Sequence, residues 1–264
     1  MSLKAVQFNR SLGPLRISGD VRAVLAGLVL FALLVNLGSW QLGRAGEKSA
    51  LAARWEARAA MPAMAPEVLL SDAPSTEAAA ALADRQVRWQ ASFSADHYLL
   101  LDNRLHHGRA GYHVIALAES DAGLIPVNLG WLAGDPSRRT TPTPTLPTGP
   151  VELEGRIYVP IGAPLMMQKP EPPATLPATV QTLYWDNWQR SLEALSGRAV
   201  FPYEVRIQSD SPHALVAEWT VVNQSPSKHI GYAVQWFAMA AVLVIIGLLR
   251  LTNLRSLFSR GSRP

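Results

Sequence analysis

Two long apolar stretches, Val24–Leu42 and Ile230–Leu249, stand near opposite ends of the sequence and contain no charged side chain. An α-helix rises about 1.5 Å per residue, so about 20 residues cross the ~30 Å hydrocarbon core of a bilayer. The spacing predicts two membrane-spanning helices, over residues 23–43 and 230–249. The segment between them, residues 44–229, then lies in one aqueous compartment.

The charges that flank these stretches predict the orientation. The tail 1–22 carries +3 and the tail 250–264 carries +4, whereas the whole chain carries only +4, so the central segment carries −3. Lys and Arg accumulate on the cytoplasmic side of a membrane, which places both tails in the cytoplasm and the central segment outside it. The pI of 9.6 reflects the tails, so the sequence predicts no nucleic-acid partner.

The first apolar stretch has a second interpretation, a secretory signal peptide, because it follows a basic segment. Its length exceeds the roughly 7–15 residues of a signal core, and it leads into a helix-forming sequence without a clear cleavage site. The Ala- and Pro-rich composition, without an Arg/Ser-rich transit peptide, favours a bacterial inner membrane with a periplasmic central domain. The chain has no cysteine, which excludes disulfides and thiolate metal sites.

The central segment changes pattern along its length. Ala-rich stretches predict a helical extension of the first span over 46–60 and a second helix over 76–84. Alternating apolar residues then predict a mainly antiparallel sheet. Between Pro136 and Pro177 stand 11 of the 20 prolines, so this region is predicted as extended loop. The predicted strands are 87–93, 97–102, 111–118, 124–132, 151–159 and 203–207, with a helix over 186–195 closed by Gly197. The predicted fold class is therefore an α+β membrane protein, with one such domain between two spans.

The residues best suited to binding chemistry stand where the two spans reach the outer interface. The first span ends in Gly-Ser-Trp-Gln-Leu-Gly-Arg and the second opens with His-Ile-Gly-Tyr-Ala-Val-Gln-Trp-Phe. The candidate site residues are Trp40, Gln41, Arg44, His229, Tyr232, Gln235, Trp236 and Phe237. On a helix, His229, Tyr232 and Trp236 share one face, and Trp40 and Arg44 are stacked in the same way.

These residues have a structural interpretation and a functional one. Trp, Tyr and Arg anchor helices at membrane interfaces, and glutamine amides pair neighbouring helices. A neutral imidazole can instead ligate haem iron, and an arginine can pair with a haem propionate. His229 is the candidate iron ligand and Arg44 the candidate propionate partner.

Other histidines and methionines carry less information. His106 and His107 fall in a predicted hairpin turn, and His113 alternates along a predicted strand. No histidine pair has the helical spacing that predicts a zinc site. The scattered thioethers of Met61, Met64, Met166 and Met167 are interpreted as packing rather than copper ligands.

Four motifs in order resemble the surfeit locus protein 1 family of cytochrome c oxidase assembly factors. The likeness extends from about Leu37 to Gly247. The motifs are Gly38-x-Trp40-Gln41-Leu42-x-Arg44; Asp102-Asn103-Arg104 with Gly111-Tyr112-His113-Val114; Val127-Asn128-x-Gly130-Trp131; and His229-x-x-Tyr232-Ala233-x-Gln235-Trp236-Phe237. One departure stands at Leu129, where the family commonly has arginine.

The resemblance implies a non-enzymatic assembly factor in the membrane. It implies transient binding of haem a, with His229 as the ligand, and delivery to subunit I of cytochrome c oxidase. Its implied partners are that subunit, haem a synthase and the lipid bilayer.

Two other classes of protein fit the same layout. A regulator of polysaccharide export also has two spans, but its external domain is built from long helical hairpins. A membrane-anchored periplasmic enzyme needs a polar catalytic cluster in the central segment. The only candidates for that cluster are Asp102, Arg104, His106, His107 and His113.

Overall fold

The computed structural model of the protein describes residues 7–70, 76–160, 170–219, 225–254 and 256. Contacts divide the chain into two units, one formed by Met1–Ala53 and Val222–Pro264 and the other by Arg54–Val221. The elements in chain order are β1 (Gln7–Leu12), β2 (Leu15–Asp20), α1 (Val21–Ala59), α2 (Pro66–Leu70), α3 (Thr76–Leu82), β3 (Gln86–His106), β4 (Arg109–Glu119), β5 (Leu124–Ala133), β6 (Val151–Tyr158), β7 (Ala178–Val180), α4 (Trp185–Ser196), β8 (Glu204–Ile207) and α5 (Pro226–Leu251).

The first unit contains two helices, α1 and α5, that carry the apolar stretches. Each is long and apolar enough to cross a membrane by length and composition. Within the unit, Gly19 packs against Leu251, and Gly38 packs against Phe237. Gly38 and Gln41 follow one another along α1, whereas their partners Phe237 and His229 come in the reverse order along α5, so the two helices run antiparallel. Pro226 occupies the first turn of α5, where its missing N–H leaves no hydrogen bond unmade.

The tail before α1 contains an antiparallel hairpin, β1–β2, that was not predicted. Asn253 fastens it to the end of α5, because its Oδ1 accepts from the Arg16 N–H at 2.8 Å and its Nδ2 donates to the Pro14 carbonyl at 2.9 Å. The two strands pair locally, from Gln7 with Asp20 to Leu12 with Leu15, whereas both contacts of Asn253 join residues far apart in the chain. The β1–β2 turn and the residue that follows α5 by two positions therefore meet at one end of the helix pair.

The second unit contains a sheet in the order β4-β5-β8-β6-β3-β7. An additional β3–β4 pairing closes five of these strands into a barrel, because the long β3 pairs with β6 over its first residues and with β4 over the rest. Pairing is antiparallel except for β3–β7 and β5–β8. The predicted mainly antiparallel α+β class is confirmed. The closure of the sheet into a barrel was not predicted.

Most predicted elements of this unit are confirmed. Gly197 closes α4 in the left-handed conformation, with φ of 69°, as predicted. The two strands predicted over 87–93 and 97–102 are wrong as separate elements, since β3 is continuous, with register shifts between Phe93 and Tyr98 and between Leu101 and Arg104. The strand bends as it changes partners instead of ending. Met166 and Met167 lie outside the described residues.

Apolar side chains that alternate along the strands fill the barrel. Leu129, the departure from the family pattern, is among them and is only 1% exposed. A smaller cluster beneath α4 includes Leu117, Trp185 and Leu192. An arginine at position 129 would need a polar partner that these apolar neighbours do not supply, so leucine suits this core.

A buried polar network crosses the barrel wall at His113, Asn128, Glu204 and Arg206. The Asn128 Nδ2 donates to Glu204 Oε2 at 3.1 Å and lies 3.4 Å from His113 Nδ1, and Asn128 Oδ1 accepts from the Gly130 N–H at 3.1 Å. Glu204 Oε1 accepts from Arg206 Nε at 2.9 Å. Since Asn128 and Glu204 are both buried, these bonds satisfy groups that water does not reach.

Burial, reinforced by the charges of Arg104 and Arg206, lowers the pKa of His113 to about 4. The neutral ring accepts a hydrogen bond from Asn128 at Nδ1, whereas a protonated Nδ1 cannot. In the unfolded chain the pKa of His113 returns to 6.5, the ordinary value for histidine. Between these values the unfolded state binds more protons, so the stability contributed by neutral His113 is complete above pH 6.5 and is lost as the pH falls toward 4.

We therefore expect a His113→Gln variant to lose less stability than the wild type between pH 6.5 and 4.5. The measurement is the urea midpoint of the full chain in detergent, followed by tryptophan fluorescence at several pH values. His213→Gln is the matched control and should retain the wild-type pH dependence. Equal slopes for wild type and His113→Gln would show that His113 does not titrate in this window.

A segment near the end of the second unit, residues 215–217, lies against β5 at Gly130, where Val216 and Trp131 form an antiparallel bridge. Leu215 donates its N–H to the Leu129 carbonyl at 2.7 Å, and Trp131 donates to the Val216 carbonyl at 2.8 Å. Gly130 has φ of 111°, and a Cβ there would lie 2.7 Å from the Val216 carbonyl oxygen. Only glycine provides both the backbone conformation and the space.

Substitution of Gly130 by alanine should therefore destabilise the second unit by about 3 kcal/mol or more, because strain and a backbone clash add together. Gly149→Ala is the control, since Gly149 also has positive φ, 76°, but a Cβ there meets nothing within 4 Å. Strain alone should cost about 1–2 kcal/mol at that position. Urea unfolding measures the free energy of unfolding of both variants. Equal losses would show that the close approach of Val216 to Gly130 adds nothing to the backbone strain.

Candidate functional site between the two apolar helices

Most of the buried residues of the helix pair in the first unit have small side chains. Leu34, Gly38 and Ala45 are the buried residues of α1, and Ala233 and Ala240 are those of α5. Positions 34, 38 and 45 follow the spacing i, i+4 and i+11, so they lie on one face of α1. Small residues let two helix backbones approach closely, which is how helices associate where no hydrophobic effect drives them.

Gly38 makes the tightest approach in this pair. A Cβ at this position would lie 2.7 Å from the edge of the Phe237 ring, closer than real Cβ contacts allow. The aromatic ring therefore occupies the space that a side chain at position 38 would fill. The glycine of the first motif and the phenylalanine of the last motif are one packing unit.

One hydrogen bond joins the same two motifs near the start of α5. His229 Nδ1 and Gln41 Oε1 are 2.8 Å apart, and both residues are partly buried. An amide oxygen only accepts, so the imidazole donates from Nδ1. The unprotonated nitrogen is then Nε2, whose lone pair is available to a ligand. An imidazole held by a hydrogen bond at one nitrogen is the arrangement that proteins use for metal-ligating histidines.

The remaining candidate residues occupy the periphery of this pair. Trp40 is 56% exposed and Tyr232 is 52% exposed, and Gln235 is also exposed. Trp236 is partly buried. The structure thus brings together His229 with Gln41 and Phe237 with Gly38, and it leaves Gln235 exposed.

Arg44 is engaged on its own helix. Its Nη1 lies 2.5 Å from Glu47 Oε2, and both side chains are substantially exposed, at 41% and 62%. An exposed ion pair of this kind contributes about 0–1 kcal/mol. The guanidinium is therefore available to a stronger anionic partner at small cost.

Sequence reasoning missed Asn36, an exposed amide on α1 within the apolar stretch. Its face is opposite to the one that contacts α5, since positions 36 and 34 differ by about 200° around a helix. The signal that could have revealed it is an isolated amide within an otherwise apolar run. Such residues are costly in a bilayer and face protein partners more often than lipid.

Lengthening the side chain at position 38 should separate the helices. We expect Gly38→Leu to lower the melting temperature of the helix pair in detergent, since overpacking costs about 1–3 kcal/mol. Gly43→Leu, one turn further along α1, is the control because a Cβ there meets nothing within 4 Å. A Gly38→Leu/Phe237→Ala double variant should recover part of the loss. Equal melting temperatures for the two leucine variants would contradict the close approach.

Comparison with known proteins supplies the identity of the chain. A model described as the SURF1 family matches residues 28–241, which covers well over half of the chain and contains all four motifs. The comparison with curated proteins finds no match. The resemblance to the surfeit locus protein 1 family is confirmed by the family match. The chain therefore belongs to the SURF1 family, an assembly-factor family associated with cytochrome oxidase.

Proposed function

We propose that this member of the SURF1 family is a membrane-anchored factor that receives haem a and assists its delivery to subunit I of cytochrome c oxidase. The observation that carries the proposal is the 2.8 Å contact between His229 Nδ1 and Gln41 Oε1. In this contact the Nδ1–H of the imidazole donates to Gln41, and the lone pair of Nε2 is available to a ligand. That is the protonation state that iron ligation requires.

The layout of the helix pair supports placement of this histidine at one edge of a bilayer. From Val21 to Gln41, α1 rises about 30 Å, which matches the thickness of the hydrocarbon core. At the opposite end of the pair, Pro14 and Arg16 of one basic tail contact Asn253 of the other. The proposed orientation has the tails in the cytoplasm and His229 at the periplasmic face of a bacterial inner membrane.

The cargo suits a site at a membrane edge because haem a is amphiphilic. Its farnesyl tail favours the lipid, and its propionates favour water and cationic groups. Trp40, Tyr232 and Trp236 offer aromatic surface around His229, and Arg44 offers a guanidinium in exchange for its weak pair with Glu47. Phe237 contributes indirectly, because its ring is already packed on Gly38.

Delivery requires release as well as binding. A partly exposed histidine with a single supporting hydrogen bond suits moderate affinity, which a factor that passes its cargo to a partner needs. Subunit I is the proposed acceptor and haem a synthase the proposed donor. The barrel of the second unit is the proposed docking surface for the oxidase.

The two other functional classes find less support. The described helices of the second unit are short, 5, 7 and 12 residues for α2, α3 and α4, unlike the long hairpins of a polysaccharide regulator. Two of the candidate enzyme residues are engaged in separate contacts, since Asp102 pairs with Arg138 at 3.4 Å whereas His113 lies 3.4 Å from the Asn128 amide.

The proposal predicts the haem content of the protein purified from cells that make haem a. His229→Ala should lose most of the bound haem a and its absorption spectrum. Gln41→Leu should retain less haem than the wild type, because nothing then holds the Nδ1–H tautomer. His213→Ala, which removes a histidine of the second unit, is the control and should leave haem content unchanged.

Unfolding is separated from ligand loss by melting each variant without haem. A His229→Ala variant that melts like the wild type and keeps its haem spectrum would remove His229 from the proposal. A Gln41→Leu variant with full haem content would show that the tautomer is held by another contact.

A further inference from the structure

The turn between β3 and β4 presents two adjacent imidazoles. His106 ends β3, and His107 and Gly108 form the two-residue turn before β4. His107 has φ of 47° and Gly108 has φ of 78°, as in the type I′ turns that join twisted strands. Asparagine is favoured over histidine at the first of these positions, so the turn itself gives no reason for an imidazole there.

A carboxylate from a distant part of the chain meets this turn. The segment 215–219 is fixed to β5 by backbone hydrogen bonds between Val216 and Trp131, at 2.8 Å and 3.2 Å. Three residues beyond Val216, the Trp219 Nε1 donates to the Ile207 carbonyl at 2.7 Å, and its ring lies edge-on to His113 at 5.7 Å. Glu218 stands between these two anchors, so its backbone position is held from both sides.

The three side chains converge on one point. One ligand atom from each of His106, His107 and Glu218 lies within 4.8 Å of the other two. His106 Nδ1 is 3.9 Å from Glu218 Oε2, and the two imidazole centroids are 4.2 Å apart. The His106 ring also lies 5.0 Å from the Trp131 ring, which limits its rotation.

This donor set has a defined chemical preference. Two imidazoles and one carboxylate, with the fourth position left to water, are a common zinc ligand set. Bonds of about 2.0–2.1 Å in a tetrahedron place ligand atoms about 3.4 Å apart. The 3.9 Å separation of His106 and Glu218 is within about 0.5 Å of that value, so small side-chain rotations suffice. Arg104 lies two residues before His106 and Arg109 two residues after His107, so a cation site at this turn must tolerate both positive charges.

We propose that His106, His107 and Glu218 form a binding site for a divalent transition-metal ion of the zinc type. The ion fastens the segment 215–219 to the β3–β4 turn and thereby stabilises the second unit when it binds. The site uses residues of this unit alone and does not depend on the haem proposal. The exposed fraction of Glu218, 69%, makes the ion exchangeable rather than permanently enclosed.

The test is a zinc titration of the full chain in detergent. The protein carries a purification tag without histidine, is made in cells that lack haem a, and is treated with a chelator before the titration. Calorimetry, or competition with a coloured chelator, measures the number of ions and the affinity. The wild type should bind one equivalent of Zn²⁺, and its melting temperature should rise with zinc.

Three substitutions remove one ligand each with little change in shape. His107→Asn keeps a residue that the turn favours, Glu218→Gln keeps the size of the side chain, and His106→Phe keeps an aromatic ring beside Trp131. Each should weaken zinc binding by more than the roughly 10- to 100-fold that loss of a supporting contact costs at a metal site. Each should also abolish the zinc-dependent rise in melting temperature.

Two controls make the result decisive. His213→Gln and His229→Ala should bind zinc as the wild type does, because neither residue belongs to the cluster. Wild-type affinity in a His107→Asn/Glu218→Gln double variant would overturn the proposal, as would failure of the wild type to bind at micromolar zinc. Loss of zinc binding in His229→Ala alone would place the metal on the other unit and overturn the proposal. The outcome of the haem measurement does not bear on this site, because the two sites share no residue.

Discussion

Close antiparallel packing of α1 against α5 at Gly38 is the constraint on which the proposed site depends. Because position 38 has no Cβ, the Phe237 ring lies against the α1 backbone and the helices approach closely. That approach brings Gln41 within 2.8 Å of His229, a distance that flexible side chains on separated helices would not hold. One glycine thus determines both the geometry of the pair and the protonated nitrogen of its histidine.

The second unit depends on a similar close approach at Gly130, where the missing Cβ leaves room for the backbone of Val216. The same short motif contains Asn128, whose amide satisfies three buried groups, and Gly130, which admits the backbone of Val216. This contact places the segment 215–219, which is distant in sequence, beside the β3–β4 turn. The family motif Val127–Trp131 thus holds the segment 215–219 against the barrel.

The four signature motifs therefore separate into two sets. The first and last meet between the helices, where the proposed haem site is built, and the two middle motifs meet in the barrel wall around His113 and Asn128. Binding of cargo and integrity of the domain rest on different units of the chain. The proposed metal site belongs to the second set, since Glu218 lies between Val216, which is hydrogen-bonded to Trp131, and Trp219, which is hydrogen-bonded to Ile207.

Local pattern was sufficient for most elements: apolar length predicted α1 and α5, alternation predicted most strands of the barrel, and Gly197 predicted the end of α4, whereas the β1–β2 hairpin was missed. The sequence also selected the residues at the helix ends, because their types and order are unusual. Tertiary structure alone decided the contact of Gln41 with His229, closure of the barrel, and the approach of Glu218 to His107. Those contacts join residues far apart in the chain, and no local periodicity records which distant residues the packing will bring together.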